Sequence, residues 1–238
     1  MEIKILHLFY DLLNLYGEYG NISILASRLK DQGVKVIIDK KTINDQYSFN
    51  DYDFVYIGSG TENKLLIALE DMKRHKDDFK SYIDSNKVAL LTGNSIEMLG
   101  KEIIDNENRI EGLNVFDFVV KKLEDRKTSD VILKSTLFSE DTVGFINKQA
   151  NIENNNNHLF NVSFGIGDND DNTYEGVCKN NLIATYVIGP LLIRNPHILK
   201  YIVEKIIKNK DESFNIKEID YLNEKEGYEL VLRELQER

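Results

Sequence analysis

The residues of this chain that could do chemistry are few and stand apart. It has one cysteine, Cys178, and four histidines, His7, His75, His158 and His197. A thiol nucleophile needs a base or other group beside it to hold it as thiolate. Glu175-Gly176-Val177-Cys178-Lys179 offers no such base, so Cys178 reads as a structural or partly exposed thiol. His7 lies in the first apolar run, where a buried and hydrogen-bonded imidazole is expected. His75 belongs to the charged run Lys73-Arg74-His75-Lys76-Asp77-Asp78, read as a solvated helix face, and His158 follows the asparagine run 154–157. His197 falls in the first turn of a helix opening at Pro196. No histidine has a partner at a short spacing, so no triad is visible. The oxygen-rich stretch from Gly165 to Asn172 lacks the glycine and closing glutamate of a calcium loop and reads as a polar turn. Neither a metal nor a cofactor is expected.

Three backbone features say more than these side chains do. Ligands of open parallel sheets bind outside the carboxyl ends of the strands. Strand exits stand at Gly58-Ser59-Gly60, at Leu91-Thr92-Gly93-Asn94-Ser95 and at Ile188-Gly189-Pro190. The second is a sharp strand-to-helix junction, the architecture that presents a nucleophile beside an oxyanion hole. Its apex here is glycine. The amides of such a junction still favour a carboxylate or another anion.

The elements that would carry these exits follow from the hydrophobic pattern. Strands are expected at Ile3 to Phe9, Val34 to Ile38, Asp53 to Ile57 and Lys87 to Leu91, with helices between them, which argues for parallel crossovers. Asn21 is the expected N-cap of the first helix, ahead of Ile22, Leu25, Ala26 and Leu29, and Gly33 its stop. The stretch from Glu62 to Ile83 has helical spacing, and a short helix follows the junction as far as Gly100. Beyond Asn106 come short strands at Val115 to Val120, Asp130 to Lys134, Thr142 to Ile146 and Leu159 to Phe164, then a buried one at Leu182 to Ile188. Asn195-Pro196 reads as cap and first position of a helix. A last helix, Ile216 to Leu235, is expected to pack Ile219, Leu222, Leu230 and Leu232.

Composition bounds the rest. Across 238 residues, 30 Lys and Arg against 40 Asp and Glu leave a net charge of −10, which argues against a nucleic-acid reader. No apolar run approaches the roughly 20 residues that cross a bilayer, and the first residues lack a signal peptide's apolar stretch. A single cytoplasmic α/β domain over residues 1–238, not bound to membrane, is the expectation.

Several motifs resemble those of one family in the same order. Asp11-Leu12-Leu13-Asn14-Leu15-Tyr16-Gly17-Glu18-Tyr19-Gly20-Asn21 resembles the opening signature of the GatD-like amidotransferase subunits, relatives of cobyric acid synthase-type glutaminases. Asp51 through Gly60, Gly112-Leu113, Arg126, Gly144-Phe145, Gly165-Ile166-Gly167, Glu175-Gly176 and Thr185 through Leu192 match further landmarks. The resemblance implies a class I glutamine amidotransferase-like, flavodoxin-like fold: a mixed, mainly parallel sheet flanked by helices. It also implies an oxyanion region at Gly58-Ser59-Gly60, a substrate-handling arginine at Arg126, and a MurT-like synthetase of the Mur ligase family as partner.

Two departures carry the functional reading. The family elbow reads Cys-Gly-Gly-aromatic-Gln-hydrophobic-Leu-Gly, which places Gly93 at the cysteine and Asn94, Ser95 and Glu97 after it. The family histidine precedes Gly-Pro-Leu-Leu, and Ile188 stands there. Glutamine hydrolysis needs the thiolate to attack and the histidine to shuttle the proton. The expectation is therefore a subunit without glutaminase activity that binds, scaffolds or regulates a synthetase, with Gly58, Ser59, Gly60, Asn94, Ser95 and Arg126 as a ligand site for a carboxylate or amino acid. The alternatives are an active subunit amidating a lipid II or cobyrinate-type carboxylate through Thr92, Ser95 or Cys178, and a small-ligand sensor at the same sheet edge. Asn94 and Glu97 are the side chains able to fill the elbow.

Overall fold

The computed structural model describes residues 1–219 and 221–238. Its frame is one large mixed sheet. β1 (Glu2–Leu8), β2 (Lys35–Lys41), β3 (Phe54–Ile57), β4 (Val88–Thr92) and β11 (Leu182–Thr185) make its parallel half, in the order β2-β1-β3-β4-β11. β10 (Tyr174–Lys179), β9 (His158–Phe164), β7 (Val119–Lys134), β8 (Thr142–Glu153) and β12 (Val187–Ile188) extend it as antiparallel neighbours. A hairpin of β5 (Glu102–Asp105) and β6 (Asn108–Glu111) joins through β5 alongside β7. The all-buried strands β3, β4 and β11 are the near-continuous apolar runs of a sheet covered on both faces. Helices α1 (Tyr19–Asp31), α2 (Glu62–Lys73), α3 (Lys76–Asp84), α4 (Leu191–Arg194), α5 (Pro196–Lys210) and α6 (Leu222–Gln236) accompany the sheet. The mixed, mainly parallel core with flanking helices is the expected class. Among the described residues, no helix is long and apolar enough to cross a membrane.

The differences from the expected elements have physical causes. α1 begins at Tyr19, so Asn21 lies inside it and caps nothing. Its buried amide instead donates to Tyr56 Oη (2.9 Å) and accepts from the Leu192 amide (2.8 Å). Asn195 likewise gives no side-chain cap to α5. It pairs with both backbone groups of Val143, at 2.8 Å each, extending the sheet's hydrogen bonding through a side chain. The 62–83 stretch breaks around His75, whose ring stacks on Tyr47 (4.3 Å between centroids) and is no solvated face. His7 is buried as expected, but neither ring nitrogen finds a partner.

Of the strand expected at 115–120 only Val119 and Val120 are extended, as the start of β7, which runs on through the expected 130–134 strand; its pairing with β8 is interrupted between Lys122 and Lys127, where the charged residues 124–126 fall. The run 182–188 is two strands, because the chain leaves β11 at Thr185 and joins β8 through β12. In α6 the inward stripe is Tyr228, Val231, Leu232 and Leu235, at helical spacing, whereas Leu222 and Leu230 are 59% and 55% exposed.

Candidate functional site

The closed elbow

Parallel pairing brings the expected exits together. Ile57 lies beside Leu91, so the loops leaving β3 and β4 start side by side, and Thr185 lies beside Thr92. The chain then crosses at Tyr186, and β12 carries Ile188 back over the elbow. A methyl group built on Gly93 would lie 2.9 Å from Ile188 Cγ2. The two positions implied by separate motifs therefore face each other in space. Gly93 has φ +64°, a backbone region that costs an ordinary L-residue about 1–3 kcal/mol. The segment Gly93–Leu99 forms 3₁₀ turns and not the expected α-helix, and every residue in it is buried.

Gly58, Ser59, Gly60, Asn94 and Ser95 do converge, and their polar groups hold one another. Asn94 Oδ1 accepts from the Gly60 amide (3.0 Å) and from Ser59 Oγ (3.2 Å), while Asn94 Nδ2 donates to the Gly60 carbonyl (2.8 Å). The Asn94 amide donates to Ser59 Oγ at 3.4 Å. Ser95 Oγ faces the carbonyls of Thr92 (2.8 Å) and Ile57 (3.2 Å). Arg126 stands outside this group. It is part-exposed and donates to Glu62 (2.6 Å), Asn147 (3.0 Å) and Gln149 (3.2 Å), at the first turn of α2 that follows the Gly60 loop.

Residues the sequence reading passed over hold the elbow in place. Glu18 is fully buried, and burial raises its carboxyl pKa against the pull of its hydrogen bonds. Its Oε2 accepts from Tyr56 Oη (2.8 Å) and from Thr92, the residue before Gly93. Its Oε1 accepts from the Gly189 amide at 3.1 Å, the residue after Ile188. One carboxyl thus ties both halves of the site to the signature loop. Glu175 does the same for the β11–β12 crossover, accepting from the Tyr186 amide (2.6 Å) and Thr185 Oγ1 (2.7 Å). Burial, with Asp168 close by, pushes the Glu175 carboxyl up, and burial pulls Lys148 in the same cluster down.

Glu97 does not fill the elbow. It pairs with Lys122 at 2.5 Å and accepts from Tyr186 Oη at 3.4 Å, and its burial raises its pKa. Only their position inside quoted motifs could have flagged Glu18 and Glu175: the Glu18 partners Tyr56, Thr92 and Gly189 are 38, 74 and 171 residues away, and the Glu175 partners Thr185 and Tyr186, 10 and 11 residues away, lie on the far side of a strand turn.

Cys178 lies on β10, half-buried, and burial pushes its thiol pKa up, the opposite of an activated nucleophile. Among the described residues, no group of His, Cys, Asp and Glu is arranged to hold a metal ion.

Residues 4–196 match the CobB/CobQ-like glutamine amidotransferase domain. The chain is 33% identical over 220 residues to the GatD subunit of lipid II isoglutaminyl synthase (glutamine-hydrolyzing) from Staphylococcus aureus strain N315, covering 92% of this chain and 90% of that one. The corresponding subunit from Streptococcus pneumoniae strain R6 is 29% identical, over 88% of this chain and 82% of its own. Among solved structures, PurLQS from Thermotoga maritima superposes with a TM-score of 0.54 at 12% identity, covering 88% of this chain and 97% of its own. A glutamine amidotransferase of the same organism superposes with a TM-score of 0.52 at 9% identity, over 98% and 92% of the two chains. Those likenesses show the class I amidotransferase fold. With the domain match running through most of its length, the chain is a member of the CobB/CobQ-like glutamine amidotransferase family.

Proposed function

We propose that this chain is a GatD-like subunit, one cytoplasmic amidotransferase-fold domain, that has lost glutamine hydrolysis and serves a MurT-like synthetase of the Mur ligase family as a scaffolding, binding or regulatory partner. The observation that carries the reading is how near Gly93 and Ile188 lie, so near that a methyl group on Gly93 would come within 2.9 Å of Ile188 Cγ2. These are the positions that the motif resemblance assigns to the nucleophile and the base, and neither residue has a group that reacts or carries a proton. In enzymes whose catalytic residues act as a unit, removing one already costs on the order of a millionfold in rate.

The remaining hydroxyls do not replace them. Thr92 and Ser95 are fully buried, both hydroxyls are engaged, and neither touches a histidine. The similarity to two lipid II isoglutaminyl synthase subunits supports a role in amidating a cell-wall precursor carboxylate, with the ammonia coming from elsewhere.

The test is glutamate release from glutamine by the homogeneous protein, alone and with the synthetase encoded beside it. The expected rate is that of buffer. Release that persists through purification and disappears in Ser95→Ala or Thr92→Val would overturn the proposal. Amidation by the pair should run on ammonium salts and fail on glutamine.

A further inference from the structure

Two side chains do more at the elbow than fill space. A Cβ built on Gly93 would lie 2.3 Å from Ser59 Oγ and 2.4 Å from Ser59 Cβ, distances at which something must move. Ser59 is 3% exposed and Asn94 5% exposed, so neither can swing into solvent without opening the loop. The space next to the elbow that a nucleophile would need is therefore held by Ser59 from the neighbouring loop. The backbone donors on either side are also taken. Ser59 Oγ accepts from the Asn94 amide, and Asn94 Oδ1 accepts from the Gly60 amide and from Ser59 Oγ. An oxyanion bound between the elbow and the Gly58-Ser59-Gly60 turn, the region the resemblance implies, would have to compete for those amides. Asn94 stands where the resemblance implies a glycine, so its side chain is an addition to the elbow as well as a replacement within it.

We infer that Ser59 and Asn94 form a clasp that occupies the former nucleophile position and engages the amides beside it, so that loss of the catalytic pair and closure of the pocket are one coupled change. The inference rests on the reading of the chain as non-hydrolytic and specifies how the site came to be shut. Gly93 has become a structural requirement, because only glycine combines the positive φ with a side chain small enough for Ser59. Restoring a nucleophile alone would wedge the clasp apart or leave the nucleophile sealed beneath it. Pocket opening would require removal of both clasp side chains.

Two measurements test this without depending on catalysis. The first is a double-mutant cycle on thermal unfolding with Gly93→Ala and Ser59→Gly. The expected result is a clear fall in Tm for Gly93→Ala, of which Ser59→Gly restores at least half; additive changes would overturn the clasp. The second uses a Cys178→Ser background and alkylation by iodoacetamide. The thiol introduced by Gly93→Cys should react at least tenfold faster when Ser59→Gly and Asn94→Gly are added. Equal rates would mean that the pocket was already open and would overturn the inference. Glutamate release by the unaltered chain would count against the functional reading, whereas these two results judge the clasp itself.

Discussion

Glu18 gives the most direct test of how the site is held. Replacing it with alanine removes the acceptor of the Gly189 amide, of Tyr56 Oη and of Thr92 Oγ1 at once. The two hydroxyls keep each other, 2.8 Å apart, and Tyr56 retains Asn21. The Gly189 amide, with no second partner among the hydrogen bonds of the structure, is left orphaned. Gly189 is only part-buried, so leaving its amide unpaired costs about 1 kcal/mol, the low end for a buried donor, and the cavity left by the fully buried Glu18 side chain adds about 2 kcal/mol.

Glu18→Ala should therefore lose about 3 kcal/mol, which for a domain of this size is about 6–12 °C in Tm. Glu18→Gln should lose less than about 1 kcal/mol. Its carbonyl keeps the Gly189 bond, its amide can donate to the two hydroxyls, and it avoids the desolvation that already raises the Glu18 pKa. Urea unfolding of the three proteins, with hydrogen exchange at the Gly189 amide, measures both parts. An alanine variant as stable as the parent would refute the tie between the two halves of the site. A glutamine variant as unstable as alanine would show that charge, and not hydrogen bonding, does the holding.

Two further predictions follow from buried charges. Glu97→Gln restores the family's residue type but leaves the 11%-exposed Lys122 side chain without its counter-ion. It should cost about 2–4 kcal/mol in urea unfolding, and adding Lys122→Met should recover at least half of that, since a well-packed apolar pair can replace a buried ion pair; no recovery would refute the pairing. Burial lowers the pKa of His7 and of His197 to about 4. Unfolded histidines take up protons near pH 6.5 and these folded ones do not, so each stabilises the fold above pH 6.5 and loses that contribution as pH falls towards 4. The raised carboxyls Glu18 and Glu97 act in the opposite sense, losing stability as pH rises through their folded pKa. The stability difference between the parent and His7→Leu, followed from pH 7.5 to 4, isolates the histidine contribution and should shift in the variant's favour by up to about 3 kcal/mol. A difference that stays constant with pH would rule it out.

The parallel half of the sheet was readable because β1, β3, β4 and β11 are short apolar runs, with glycine directly after β3 and β4, a local signal. The antiparallel half was read as fragments, because β7 passes through the charged residues Lys121 to Lys127 and shifts register there. The polar side chains misled for one common reason. Asn21 and Asn195 look like helix caps by position, yet each bonds to a group far away in the chain. His75 looked solvated because its neighbours are charged, whereas Tyr47 covers it. The outward turn of Leu222 and Leu230 follows from the register of α6, which no count of apolar residues supplies.

The amino-acid sequence by itself determined the family and the chemical vacancy in it: no residue type at Gly93 or Ile188 can attack an amide or move a proton, whatever the fold. Only the tertiary structure decided that these two positions face each other, that Glu18 ties both to one loop, and that Ser59, bonded to Asn94, stands against Gly93. Residue identity sets which reactions are excluded, while contact between segments distant in the chain depends on strand order and crossover, which act through space.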